Sequence, residues 1–237
     1  MLFPLFDPTY LIFMLPPLIF MIYAQSKVNS TFKKYSKIAN SGHITGVEAA
    51  HNLLNTNGLT SVKIEGVRSK LGDHYDPSKK VLRLSPEVAN TPSVAALGIV
   101  AHEVGHAVQD KTRYAFLRLR GSLVPAANLG STMGWIFIML GLIVYGFGMA
   151  FGGIVFSLGI ILFSIAVLFS LITLPVEFNA SNRARQMLRS TGMVTPEEYK
   201  GASAVLSAAA LTYVAAMLQA VAQLIYFVFM FLGMRRN

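Results

Sequence analysis

Residues 94–108 read Val94-Ala95-Ala96-Leu97-Gly98-Ile99-Val100-Ala101-His102-Glu103-Val104-Gly105-His106-Ala107-Val108. We predict one helix over this apolar run, started by Thr91-Pro92 with Pro92 at its first position. Positions i and i+4 share one face of a helix, so His102 and His106 can reach the same metal ion with Glu103 beside them. Polar groups within an apolar helix need such a partner. The H-E-x-x-H spacing therefore predicts a zinc site in which Glu103 takes a proton from a metal-bound water.

The composition places this helix in a membrane protein. The chain is 54% hydrophobic and only 13% charged, and its mean hydropathy is +0.54. Four apolar stretches, at about residues 9–24, 132–151, 153–176 and 203–234, are each near or above the ~20 residues that cross a bilayer as a helix. The sequence predicts an α-helical membrane protein with about four transmembrane helices. Small residues begin the last stretch and predict packing against protein there.

The positions of the basic residues predict the orientation. Asp7 is the only charge before the first apolar stretch, and Lys27 follows it, which favours an uncleaved anchor over a signal peptide. Fourteen of the 20 Lys and Arg lie between Lys27 and Arg120, four more lie between Arg183 and Lys200, and none lies in residues 121–182. The positive-inside rule therefore places both charged segments in the cytoplasm. The pair Arg235-Arg236 would then fall outside, against the rule.

The net charge of +9 could indicate nucleic acid, but the basic residues flank the predicted spans, where anionic lipids attract them. We therefore expect the lipid bilayer, and no nucleic acid, as a partner. The chain has no cysteine, which excludes disulfides and thiolate ligands and fits a reducing cytoplasm. Any metal must use nitrogen and oxygen ligands.

Local signals predict a small α+β domain before the second span. Thr45 with Glu48 forms a capping-box pattern that begins a helix ending near Gly58. Residues 61–66 and 80–85 have β-type character and could pair as strands. The turn before the second of these includes Asp73-His74-Tyr75-Asp76.

The predicted organisation has five segments. Each is assigned by its hydropathy and charge: a transmembrane anchor (1–25), a cytoplasmic domain with the H-E-x-x-H helix (26–125), a transmembrane hairpin (126–176), a cytoplasmic segment with the third metal ligand (177–202) and a last transmembrane helix (203–237).

Catalytic zinc usually has three protein ligands and one water, so one ligand remains to be found. Glu177 is the candidate, because the predicted topology returns the chain to the metal side just after Pro175. His74 is the other residue that could bind the metal, although we expect it to line the cleft.

Several motifs resemble known families. The order of H-E-x-x-H, a transmembrane hairpin and a Glu that opens a second helix looks like the HtpX type of gluzincin membrane protease. The whole chain more closely resembles the bacterial YugP-like family of membrane zinc metallopeptidases. The motifs that carry this second resemblance are Asp7-Pro8-Thr9-Tyr10, Asp73-His74-Tyr75-Asp76-Pro77, Leu82-Arg83-Leu84-Ser85-Pro86 and Leu174-Pro175-Val176-Glu177-Phe178.

This resemblance implies a gluzincin-like zinc peptidase domain on the cytoplasmic side of the bacterial cytoplasmic membrane. It implies His102, His106 and Glu177 as Zn²⁺ ligands and Glu103 as base. One position departs from the HtpX pattern, where an Asp supports a metal-binding His four residues after the ligand Glu; here that residue is Ser181. We therefore expect another partner for a metal-binding imidazole, from Asn179, Asn182 or an acid in the first domain.

The predicted activity is hydrolysis of peptide bonds in membrane-associated or misfolded proteins. His74, Tyr75 and Arg183 are candidates for stabilising the oxyanion, and a substrate adding to the edge of the strand at residues 80–85 would gain main-chain hydrogen bonds. The alternative is a zinc-binding membrane scaffold without turnover. An intramembrane-cleaving protease fits less well, because polar residues 27–93 precede the metal helix. An oligomer or a membrane partner protein is compatible with each.

Overall fold

A computed structural model describes residues 8–69 and 72–234. Asp7, Arg235 and Arg236, to which the topology prediction refers, lie outside the described residues. The described chain contains seven helices and three strands: α1 (Pro8–Tyr35), α2 (Gly46–Thr56), β1 (Lys63–Gly66), β2 (His74–Asp76), β3 (Val81–Leu84), α3 (Pro86–Ala89), α4 (Val94–Lys111), α5 (Ala115–Gly146), α6 (Gly152–Ser190) and α7 (Pro196–Met234).

Four of the described helices, α1, α5, α6 and α7, are long and apolar enough to cross a membrane. This number confirms the prediction of about four spans. The chain divides into two compact units. A helical unit comprises Met1–Tyr23, Leu119–Leu174 and Tyr213–Asn237, and a mixed unit comprises Ala24–Arg118 and Pro175–Thr212.

In the helical unit, glycines allow α5 and α6 to pack closely. A Cβ atom at Gly141 would lie 2.5 Å from the backbone nitrogen of Phe156, and one at Gly130 would lie 2.6 Å from the carbonyl oxygen of Leu162. Small residues at such contacts let backbones approach, as is common between membrane helices. The outward faces carry exposed apolar side chains such as Ile143 and Ile161, which suits contact with lipid.

In the mixed unit, the helix and strand signals of the sequence are largely confirmed. Thr45 and Glu48 form the predicted capping box at the start of α2. The two β-type segments pair as parallel strands, with Lys63 opposite Val81. Helix α4 begins at Val94, two residues after the predicted first position Pro92, because the hydroxyl of Ser93 caps it by accepting a hydrogen bond from the backbone N–H of Ala96.

The order of the strands corrects two predictions. The sheet has the order β1-β3-β2, and β2, which is antiparallel to β3, includes His74 and Tyr75. These residues therefore lie in a strand and not in a turn. Because β3 is paired on both sides, a substrate cannot add to it, so the prediction of edge addition along residues 80–85 is wrong. The free edge on this side of the sheet belongs to β2.

Helix α4 is the centre of the mixed unit. Its side chains Leu97, Val100 and Val104 are fully buried and belong to a core that also contains Leu82 of β3 and Leu188 of α6. Helix α4 is thereby held in a defined position by the sheet, by α2 and by the C-terminal part of α6. This packing determines what faces His102 and His106.

Candidate metal centre

The two histidines of α4 lie one helical turn apart and face the same way. Their ring centroids are 4.8 Å apart, and the intervening Gly105 allows α6 to approach, since a Cβ there would lie 2.6 Å from the carbonyl oxygen of Ala180. The contact brings the segment of α6 after Pro175 next to the H-E-x-x-H motif. Local helix periodicity and a close interhelical contact therefore build the site together.

Glu177 of α6 completes a cluster of three potential ligands. Its Oε2 atom lies 3.2 Å from Nε2 of His102 and 3.5 Å from Nε2 of His106. Ligand atoms of the three residues all lie within 4.8 Å of one another. In a tetrahedral zinc site with bonds of about 2.0–2.1 Å, ligand atoms are about 3.3 Å apart. Two nitrogens and one oxygen at these separations fit zinc with a free fourth position.

Each histidine has a hydrogen-bond partner that orients its ring. Nδ1 of His102 lies 3.2 Å from the hydroxyl of Ser181, so the residue that departs from the HtpX pattern still contacts a histidine of the cluster. Nδ1 of His106 lies 3.0 Å from Oε1 of Gln109. These contacts favour protonation of each Nδ1 and leave each Nε2 free for metal.

Gln109 is a residue of this site that the sequence predictions do not include. Its side chain is fully buried, and its amide donates to the carbonyl of Val176 at 2.7 Å and to Oδ1 of Asn179 at 3.0 Å. Gln109 thus joins His106 to the segment that carries Glu177.

The sequence predicts a further orienting partner from Asn179, Asn182 or an acid in the first domain. Gln109 occupies that place at His106 instead. Asn179 accepts a hydrogen bond from Gln109, and Asn182 accepts one from Arg185. The position of Gln109 three residues after His106, one helical turn, is the signal that could have found it.

Glu103 is buried beside the two histidines. The backbone N–H of Tyr75 in β2 donates to Oε2 of Glu103 at 3.0 Å. Burial raises the pKa of the Glu103 carboxyl above its ordinary value, against the opposing effect of His102 and His106. A carboxylate that is held in place and made more basic suits proton transfer near neutral pH.

The other predicted residues are placed around this centre. The hydroxyl of Tyr75 donates to Asp110 at 2.7 Å, and burial with this hydrogen bond raises the pKa of that hydroxyl above its ordinary value. His74 is exposed, and its Nε2 lies 3.2 Å from Nη1 of Arg83. Arg183 donates to Oδ1 of Asn179 at 2.8 Å. Among the described residues, neither His74 nor Arg183 belongs to the ligand cluster.

Comparison with known proteins identifies the family. A family model described as "Putative neutral zinc metallopeptidase" matches residues 10–232. The chain is also 44% identical over 213 residues to "Putative membrane protease YugP" of Bacillus subtilis (strain 168), covering 90% of this chain and 92% of that protein. The chain belongs to this neutral zinc metallopeptidase family. No solved structure matches it.

Membership of the zinc metallopeptidase family agrees with the geometry. Zinc is the cofactor of such a peptidase, and His102, His106 and Glu177 could hold it. The relative is named as a membrane protease and four described helices could cross a membrane, so the protein is a multi-pass membrane protein. The predicted resemblance to the YugP-like family is thereby confirmed.

Proposed function

We propose that this protein is a gluzincin-like zinc metalloendopeptidase of the bacterial cytoplasmic membrane that cleaves membrane-associated or misfolded proteins. The observation that carries the proposal is the convergence of His102, His106 and Glu177, with the carboxylate of Glu103 beside them. A structural zinc site usually has four protein ligands and needs no adjacent base. Three ligands and a positioned glutamate are typical of hydrolysis.

The mechanism assigns a role to each side chain. A bound zinc ion would polarise the scissile carbonyl and make an attacking water more acidic. Glu103 accepts the proton of that water and passes it to the leaving amine. The N–H of Tyr75 restrains Oε2 of Glu103, which leaves the other oxygen for the water. The Ser181 and Gln109 contacts keep the two imidazoles oriented toward the ion.

The free edge of β2 is the best candidate for binding the peptide backbone. The Tyr75 N–H points to Glu103 and not to β3, so this edge faces the catalytic side chains. A substrate in extended conformation would lie along β2 and bind the main-chain carbonyl of Tyr75, because the Tyr75 N–H is engaged by Glu103. Main-chain recognition of this kind depends little on sequence. His74 and Arg183 are our candidates for stabilising the oxyanion once a substrate is bound. Tyr75 suits this predicted role less, since its N–H donates to Glu103 and its hydroxyl donates to Asp110.

The membrane arrangement is part of the proposal. We assign residues 1–25, 126–176 and 203–237 to the membrane and residues 26–125 and 177–202 to the cytoplasm. The absence of Lys and Arg from residues 121–182 supports this assignment. The active site would then face the cytoplasm and act on proteins at or near that surface.

The decisive test is the substitution Glu103→Gln in detergent-purified protein. The variant should bind as much zinc as the wild type and lose at least about 100-fold in hydrolysis of casein, because an amide cannot accept the proton. Zinc content and cleavage are measured on the same preparations. Glu87→Gln is the matched control, since Glu87 is exposed on α3, and it should retain full activity.

The remaining outcomes separate the peptidase from the scaffold. Zinc in every preparation without cleavage of casein or membrane peptides would favour the scaffold without turnover. Equal cleavage by wild type and Glu103→Gln would disprove the role of Glu103. Absence of zinc from the wild type would overturn the metal centre.

A further inference from the structure

A basic pocket lies at the end of the metal helix. It has a volume of about 460 Å³ and is lined by Lys80, Asp110, Lys111, Arg113 and Arg118. Four cations therefore surround one carboxylate. Such an excess of one charge in a concave site attracts an anion.

Two of the cations are already engaged in the fold. The ammonium of Lys80 forms an ion pair with Asp110, and that of Lys111 donates to the carbonyl of Asn57 at 2.7 Å. Arg113 and Arg118 differ from them. Within residues 8–69 and 72–234, no ion pair or side-chain hydrogen bond occupies either guanidinium, so both remain free to bind a ligand.

The backbone of Arg113 is also unusual. Arg113 follows the C-cap residue Thr112 of α4 and has φ of 53°, in the left-handed region where glycine is the common residue. The N–H of Tyr114 donates to the carbonyl of Gln109 at 2.9 Å, which closes the helix end. An arginine thus occupies a left-handed backbone position at which glycine is the usual residue.

The pocket is connected to the catalytic side chains through Tyr75. Asp110, in the pocket wall, accepts a hydrogen bond from the hydroxyl of Tyr75. The backbone N–H of the same Tyr75 donates to Glu103. Asp110 follows Glu103 by seven positions on α4, or about 10 Å along the helix axis. An extended peptide covers this distance in about three residues. A substrate bound along β2 would therefore reach the pocket with a residue close to the scissile bond.

We propose that this pocket is a substrate subsite that binds a carboxylate, either of an acidic side chain or of the peptide C-terminus, about three residues from the scissile bond. The proposal rests on the peptidase function proposed above. Planar guanidinium groups pair well with a carboxylate. A dianionic phosphate monoester, such as that of a nucleotide, suits the pocket less, because Asp110 repels two negative charges more strongly than the single charge of a carboxylate.

The experiment compares matched fluorogenic peptides with the full-length zinc-loaded protein in detergent. Each pair differs by Glu against Gln at one position near the scissile bond, and a second set differs by a free or amidated C-terminus. We expect kcat/KM to be about fivefold higher for the acidic member at one position, the effect of one partly exposed ion pair. The two sets show which source of carboxylate the pocket prefers.

Variants then assign the preference to the pocket. Arg113→Gln with Arg118→Gln should bring the Glu-to-Gln ratio of kcat/KM to about one, while zinc content stays at the wild-type value. Arg113→Glu with Arg118→Glu should reverse the ratio and favour peptides with Lys at that position. Lys63→Gln is the control, because Lys63 is exposed on the opposite edge strand β1, and it should leave the ratio unchanged. The ratio is internal to each variant, so partial loss of folded protein does not affect it.

Four results would overturn the subsite. If the active wild type cleaves both members of every pair equally, the subsite is wrong but the proposed peptidase function stands. The same conclusion follows if the preference for the acidic peptide persists in the double variants. A pocket that responds only to phosphatidylglycerol, seen as a melting shift that the double variants lose, would be a lipid headgroup site instead. If the wild type cleaves no peptide and no casein, the peptidase proposal fails first and the subsite fails with it.

Discussion

At the scale of single residues, neutral side chains orient both imidazoles of the metal centre. Ser181 contacts His102, and Gln109 contacts His106. A carboxylate in these places would hold the ring more strongly and make the ligand more basic. Gln109 makes up for this weaker hold on the ring through further contacts, because its buried amide also donates hydrogen bonds to Val176 and Asn179 on α6. It therefore acts as a positioning residue for both helices of the site.

We expect Gln109→Met to weaken zinc binding by about 10–100-fold, because methionine keeps the volume but removes the hydrogen bonds to His106 and α6. Competition with a chromophoric chelator measures the zinc affinity. Replacing zinc by cobalt adds the visible absorption spectrum, which should shift with the ligand geometry. Gln25→Met, at an exposed position of α1, is the control. An unchanged affinity and spectrum would show that Gln109 only fills space.

At the scale of elements, the contact of α4 with α6 determines whether Glu177 can join the two histidines. Gly105 lies within the motif, and a Cβ there would lie 2.6 Å from the carbonyl oxygen of Ala180. The carbonyl of Ala180 belongs to the backbone of α6, so it cannot move away from an added Cβ unless α4 and α6 separate. The glycine is therefore part of the metal centre, although its own atoms bind nothing.

Gly105→Ala should destabilise the mixed unit by about 1–3 kcal/mol, as overpacking does in a core, and should lower zinc occupancy. In a helix without such a contact the same change stabilises by about 1 kcal/mol, so the sign of the effect is informative. Gly121→Ala in α5 is the control, because a Cβ added at Gly121 would meet no neighbouring atom within 4 Å. Thermal unfolding in detergent and zinc content give both measurements. A stabilised, zinc-replete Gly105→Ala would contradict the close approach of α6.

At the scale of the whole molecule, charge distribution predicts the orientation in the bilayer. The chain has no cysteine, so a single introduced cysteine is the only thiol of the protein that a maleimide can label. Asn52→Cys on α2 and Met149→Cys between α5 and α6 are both at exposed positions. A membrane-impermeant maleimide should label Met149→Cys in intact cells and Asn52→Cys only after permeabilisation. The opposite pattern would reverse the topology and place the active site outside the cytoplasm.

Features that depend on near neighbours in sequence are predictable. The capping box of α2, the four apolar helices and the shared face of His102 and His106 follow from local spacing and hydropathy. Glu177 can also be proposed from the sequence, because the topology of a hairpin returns the chain to its starting side.

Features that depend on distant contacts need the folded chain. The central place of β3, the free edge of β2 and the link from Gln109 to α6 join segments far apart in sequence, and no local pattern encodes them. The basic pocket is similar, since Lys80, from the turn between β2 and β3, and Arg118 of α5 line the same pocket although they lie far apart in the sequence. Local periodicity therefore specified the chemistry of the metal helix, whereas packing free energy, summed over many distant contacts, selected its partners.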